Sequence, residues 1–214
     1  LLRERGIEAW QIDDVLLTHV DHDHWRPTWC RVRDLNATVH VHRSHKRANL
    51  FNGRARVHIF EHGFETRWLR VEPLLMAHDE AGVVVYRFEL AGGGRLGYAT
   101  DVGHVSSDLV DHLHGVDVLA IESNYDPEMQ MASGRPPMLK QRIMGGRGHL
   151  SNGQAFEAVR FIEPKSHVVL LHLSRECNTP GHVESLHEGA SYGVTITDQF
   201  QPTEWIPCAC AAPF

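Results

Sequence analysis

Val15-Leu16-Leu17-Thr18-His19-Val20-Asp21-His22-Asp23-His24 is an apolar run that stops on a turn dense in imidazole and carboxylate. Its first residues read as a buried β-strand. Past Thr18 the chain turns, so side chains need no longer alternate between the faces of a sheet, and His19, Asp21, Asp23 and His24 can converge at the strand's end. Such mixed nitrogen and oxygen donors suit Zn²⁺, Mn²⁺ or Fe²⁺ and suit Ca²⁺ poorly, since calcium takes oxygen ligands.

Three later stretches repeat this placement. Met76-Ala77-His78-Asp79, Tyr98-Ala99-Thr100-Asp101 and Leu170-Leu171-His172 each end an apolar run on a ligand-type side chain. Taken singly, His78 reads as a loop residue, Asp101 as a turn former and His172 as a core histidine. Taken together they point to one edge of a sheet where such side chains meet.

Composition agrees with a metal-binding globular domain. Histidine occurs 17 times in 214 residues, and imidazole is the commonest metal ligand. A formal charge of −6 argues against a protein that coats nucleic acid through bulk charge. No apolar run is long enough to span a membrane. The 4 cysteines form neither a disulfide framework nor paired CxxC motifs, which fits a reducing, cytoplasmic setting.

The pattern of elements predicts one α/β domain over residues 1–214. Strands are expected at Thr38–His42, Trp68–Ala77, Val116–Ile121 and His167–Leu173, with a hairpin of Val83–Leu90 and Arg95–Thr100. Helices are expected from Ser44 to about Phe51, at Ser107–His114 capped by Ser106, at Pro137–Met144, from Ser151 or Asn152 to Ile162, and at Gly181–Glu188. Leu1 to Gly6 reads as the last turn of a helix closed by Gly6. His40 and His42 share one face of a strand and, beside Arg43 and His45, are expected at an exposed basic edge. The tryptophans are expected in core or rim packing.

The order HxDxDH, His, Thr-Asp, His resembles the metallo-β-lactamase fold. The neighbourhoods Ile121-Glu122-Ser123-Asn124, Gly148-His149-Leu150-Ser151-Asn152 and His172-Leu173-Ser174-Arg175-Glu176-Cys177-Asn178-Thr179-Pro180 resemble its YycJ-like branch. The resemblance implies an αββα sandwich of two mixed sheets with outer helices, of which this chain is an N-terminally shortened copy. It also implies a metal-dependent hydrolase with two divalent ions, zinc or manganese. His19, Asp21 and His78 would hold one ion, Asp23, His24 and His172 the other, and Asp101 would bridge them. Asp23 and His149 would act in catalysis, where a metal-bound hydroxide attacks and His149 contacts the phosphate or protonates the leaving oxygen.

Two positions depart from that pattern. Asp21 stands where most of the family has histidine, and Tyr125 stands where the branch has histidine. For substrate, two acid-free basic stretches stand out: Arg43, Lys46, Arg47, Arg54 and Arg56, then Arg135, Lys140, Arg142 and Arg147. They favour a phosphodiester, in nucleic acid or a small ester, as the expected partner. The same fold also hosts thioester and lactone hydrolysis, and a catalytically impaired binding member is the remaining alternative.

Overall fold

The computed structural model of the chain describes residues 2–22, 24–32, 34–45, 56–77 and 81–208. Two sheets face each other. The smaller contains β1 (Asp14–Leu16), β2 (Thr38–His42) and β3 (Arg56–Phe60), all parallel and in that order. The larger contains β4 (Phe64–Glu65), β5 (Leu69–Met76), β6 (Val83–Leu90), β7 (Arg95–Ala99), β8 (Val118–Glu122), β9 (His167–Leu171) and β10 (Gly193–Ile196). Its neighbours are antiparallel from β4 to β7 and parallel from β7 to β10. The larger sheet is mixed as expected, and the described strands of the smaller one are parallel throughout.

Strand β6 shows how the layers follow from sequence. Val83 and Val85 point into a core shared with the helices, while Val84, Tyr86 and Phe88 point between the sheets, as a period of two requires. Strand β8 lies buried along its whole length, which suits its run of Val, Leu, Ala and Ile in the parallel half of the sheet. Over the outer face lie α1 (Ser107–Leu113), α4 (Asn152–Ile162) and α5 (Pro180–Leu186), supplying Leu109, Leu113, Ala158, Val159, Ile162 and Val183 to the core. Ser106, Ser151 and Thr179 cap them through side-chain oxygens that accept from Leu109, Gln154 and His182 N–H groups. Two further helices, α2 (Pro127–Ala132) and α3 (Pro137–Met144), lie between β8 and α4 in the chain. No helix among the described residues is long and apolar enough to cross a membrane.

On the far side of the smaller sheet, Leu17, Val20 and Trp25 close over Val39 and Val41. Arg43–His45 forms a 3-10 turn where the expected helix begins, and the rest of that helix lies outside the described residues. Strands β3, β4 and β10 and helix α2 were not expected from the sequence. Among the tryptophans only Trp25 is core; Trp10, Trp29, Trp68 and Trp205 are exposed.

His40 and His42 are buried, which corrects the expectation of an exposed edge. β2 is the middle strand of its sheet, and the face that carries His40 and His42 meets β4 of the larger sheet instead of water. The His40 ring stacks on Phe64 at 4.8 Å, and His42 lies edge-on to Phe60 at 5.5 Å. Polar partners offset their desolvation: His40 contacts Asp14 at 2.8 Å and His58 at 3.0 Å, and His42 contacts Ser44 at 2.8 Å. Burial lowers the pKa of His42 and of His58.

Two bonds fasten the start of the His19 turn to the larger sheet. The Tyr86 hydroxyl donates to the Leu17 carbonyl at 2.5 Å, and Val84 N–H donates to the Thr18 carbonyl at 2.9 Å. Burial raises the Tyr86 phenol above its ordinary range, so it remains a donor at every working pH. Tyr86→Phe should lower stability by about 1–3 kcal/mol, because it strands a buried carbonyl without opening a cavity. A shifted urea midpoint with an unchanged slope is the expected readout.

Candidate metal centre and active-site cleft

The ends of both sheets deliver the site. His19 follows β1, Asp101 follows β7, Glu122 closes β8 and His172 follows β9, while His149 precedes the capping box of α4. Asp101 and His172 have φ of 57° and 60°. Left-handed backbone at a residue with a Cβ costs about 1–2 kcal/mol, and such strain concentrates where geometry must be held for function. Thr100 Oγ1 donates to Asp101 Oδ2 at 2.8 Å, and Asn124 Nδ2 donates to the His172 carbonyl at 2.7 Å, which secures both turns.

Asp101 is the hub. His24 Nε2 lies 3.3 Å from its Oδ2, while His149 Nδ1 and His172 Nδ1 lie 3.4 and 3.6 Å from its Oδ1. His19 stands beside His24, with ring centroids 4.0 Å apart. One ligand-type atom from each of His19, His24 and Asp101 falls within 4.8 Å of the others, and the same holds for Asp101, Glu122, His149 and His172. Burial alone would raise the Asp101 pKa; His172, His24, His149 and His19 together outweigh it and hold the carboxyl below its ordinary range.

Of the residues singled out in the sequence, His19, His24, Asp101, His149 and His172 are thus brought together. Asp21 lines the same cleft but contributes to neither cluster. Asp23 and His78 lie outside the described residues. Sequence reasoning missed Glu122 as a site residue. It is fully buried, with Oε2 lying 3.1 Å from His149 Nδ1 and 3.3 Å from His172 Nδ1, and Oε1 accepting from Leu150 N–H. The available signal was its position at the end of an apolar strand, the same placement that marks Asp101 and His172.

Tyr125 is buried beside the cluster and is not a lining residue of the cleft. It packs with Ile143 and Cys177, and burial, with Glu122 nearby, raises its phenol pKa. His149 lies two residues ahead of Ser151, the residue that caps α4. Gly148 must be glycine, because a Cβ there would overlap the carbonyl oxygens of Ile143 and Arg142.

Above the cluster opens a cleft of about 730 Å³, within the range of ligand-binding pockets. Leu139, Arg142 and Ile143 of α3 line it, together with Arg135, Arg175 and Glu176. Arg135 is tied to Glu176 at 2.9 Å. In the other basic stretch Arg43 pairs with Glu61, Arg56 donates to the Asn36 carbonyl, and neither lines the cleft; Lys46, Arg47 and Arg54 lie outside the described residues. Imidazoles and carboxylates without thiolate fit divalent zinc, manganese or iron.

An α/β sandwich whose strand ends gather these donors under an open cleft defines the class of metallo-β-lactamase-fold hydrolases. Residues 2–173 match the Beta-lactamase superfamily domain, and the chain belongs to that family. Over 188 residues it is 28% identical to the exodeoxyribonuclease WalJ of Streptococcus pneumoniae, covering 83% of this chain and 70% of that protein. Over 112 residues it is 31% identical to the exodeoxyribonuclease YycJ of Bacillus anthracis, covering 51% of this chain and 42% of that protein. Among solved structures, the metallo-β-lactamase fold protein YhfI from Bacillus subtilis superposes with a TM-score of 0.65 at 14% identity, over 88% of this chain and 76% of that one. A diphosphatase of the PhnP family gives 0.64 at 17% identity, over 91% and 71%. Fold, family and donor cluster make the chain a metal-dependent hydrolase.

Proposed function

We propose that the chain hydrolyses phosphodiesters of nucleic acid at a dinuclear centre. The observation that carries this reading is the gathering of His19, His24 and His172 around the buried Asp101 carboxylate, at the floor of an open cleft with arginines on its walls. His19, Asp21 and His78 would hold one ion and Asp23, His24 and His172 the other, and Asp101 would serve both. When bound, the ions supply Lewis-acid stabilisation of the phosphoryl oxygens and lower the pKa of the attacking water. The exodeoxyribonuclease relatives support a nucleic-acid substrate.

His149 supplies the proton. Its Nδ1 faces Glu122 Oε2 at 3.1 Å, which leaves Nε2–H to be offered to the oxygen that leaves. Glu122 keeps the ring oriented, while Asn124 fixes the turn that carries His172. Arg142, on the cleft wall, balances the charge of the phosphate.

Asp21 bears on the choice of metal. With Asp21, Asp23 and Asp101 the ligands carry three negative charges, and histidine at position 21 would remove one. Asp21→His should therefore shift preference from Mn²⁺ towards Zn²⁺. Activity ratios with each ion are the check, and an unchanged ratio contradicts it.

The function itself is tested by offering bis(p-nitrophenyl) phosphate, single-stranded DNA, a thioester and a lactone to the metal-loaded chain, with His19→Ala as control. Metal-dependent hydrolysis of both phosphodiesters, lost in His19→Ala, is expected. Inert phosphodiesters with brisk thioester or lactone turnover would overturn it.

A further inference from the structure

The cleft above Asp101 does not end at Arg175. Residues 172–175 and Gln199 wall both it and a second hollow, of about 410 Å³, that runs on to Phe200. Phe200 is 64% exposed, yet its place is set: Asp198 Oδ1 accepts from the N–H groups of Phe200 and Gln201 at 2.7 and 3.1 Å. The Arg175 guanidinium stands 5.1 Å from the centre of its ring. Single exposed aromatic residues are ordinary, and Phe161 on α4 is one that lines neither hollow. Phe200 differs because a cation covers it and because it stands in a groove continuous with the candidate metal centre.

We propose that Phe200 and Arg175 form a subsite for a nucleotide neighbouring the one cleaved, with the base stacked on the ring and its phosphate held by the guanidinium. This rests on the phosphodiesterase reading above. A guanidinium can lie over an aromatic ring and still direct in-plane N–H donors at a phosphate. Every base has a π-face, so the subsite accepts strands of any sequence. The occupant is a single strand, since a base paired in a duplex cannot leave its stack to reach Phe200 without cost.

The test is fluorescence anisotropy of the metal-loaded chain with a labelled phosphorothioate oligothymidylate, compared with a duplex of the same length. Phe200→Ala should weaken single-strand binding by about 5- to 150-fold, and Phe200→Trp should retain it. Arg175→Ala should also weaken it and reduce the slope of log Kd against log salt by about 0.7. Single-strand affinity of Phe200→Ala within twofold of wild type would overturn the subsite, as would an equal loss for the duplex. Bis(p-nitrophenyl) phosphate is too small to reach Phe200 and reports on the phosphodiesterase reading alone. A wild-type chain that cleaves it but binds the strand without help from Phe200 overturns only the subsite; one that neither cleaves it nor binds the strand overturns both.

Discussion

Asp101→Ala should lower phosphodiester turnover by about 10³-fold or more, since the interactions it removes amount to several kcal/mol in the transition state. Among the described residues Asp101 alone belongs to both donor clusters. Loss of any other member leaves one cluster whole, whereas loss of Asp101 breaks both. The backbone supplies a second, independent readout. At φ of 57° a glycine is unstrained and an alanine is not, so Asp101→Gly should be more stable than Asp101→Ala by about 1 kcal/mol while being equally inactive. Urea midpoints of the two variants check this. Equal turnover of wild type and Asp101→Ala would remove Asp101 from the mechanism.

Glu122 should give the second large effect, divided between function and stability. Its carboxylate is fully buried and serves three partners, the His149 and His172 rings and the Leu150 amide. Glu122→Ala leaves those groups unanswered in a dry environment and should destabilise the fold by about 3 kcal/mol or more. Glu122→Gln keeps an acceptor for Leu150 but loses the charge that orients the histidines. It should cost about 10- to 100-fold in metal affinity or turnover with a smaller loss of stability. Comparing the two variants by denaturant unfolding and by steady-state kinetics separates these roles. Glu122→Gln with wild-type kinetics would reduce Glu122 to a packing residue.

Much of the site was legible because it obeys one local rule: an apolar run ends and a ligand-type side chain follows. His19, Asp101 and His172 all follow it. The same rule covers Glu122, but an acid closing a strand reads equally well as the point where the strand meets water. What distinguishes the two readings is the packing of β9 and the approach to α4, which are contacts far away in sequence. His40 and His42 fail for the same reason. Their neighbours Arg43 and His45 suggested solvent, yet the face they share meets Phe64 of the larger sheet and is flanked by Phe60 of the adjacent strand β3. Strand β3 has alternating but mostly exposed residues, and β10 is four residues long behind Gly193, so neither carries a strong periodic signal. Helices α1, α3, α4 and α5 were readable within a residue or two because caps and prolines mark their starts.

The central claim is that these side chains hold a pair of divalent ions. Anomalous diffraction from crystals grown with Mn²⁺ tests it most directly. Two peaks flanking the Asp101 carboxylate are predicted, one reached by His19 and the other by His24 and His172, each at a coordination distance of about 2.0–2.2 Å. A single peak would reduce the centre to one ion. No peak near Asp101 at saturating metal would contradict the account.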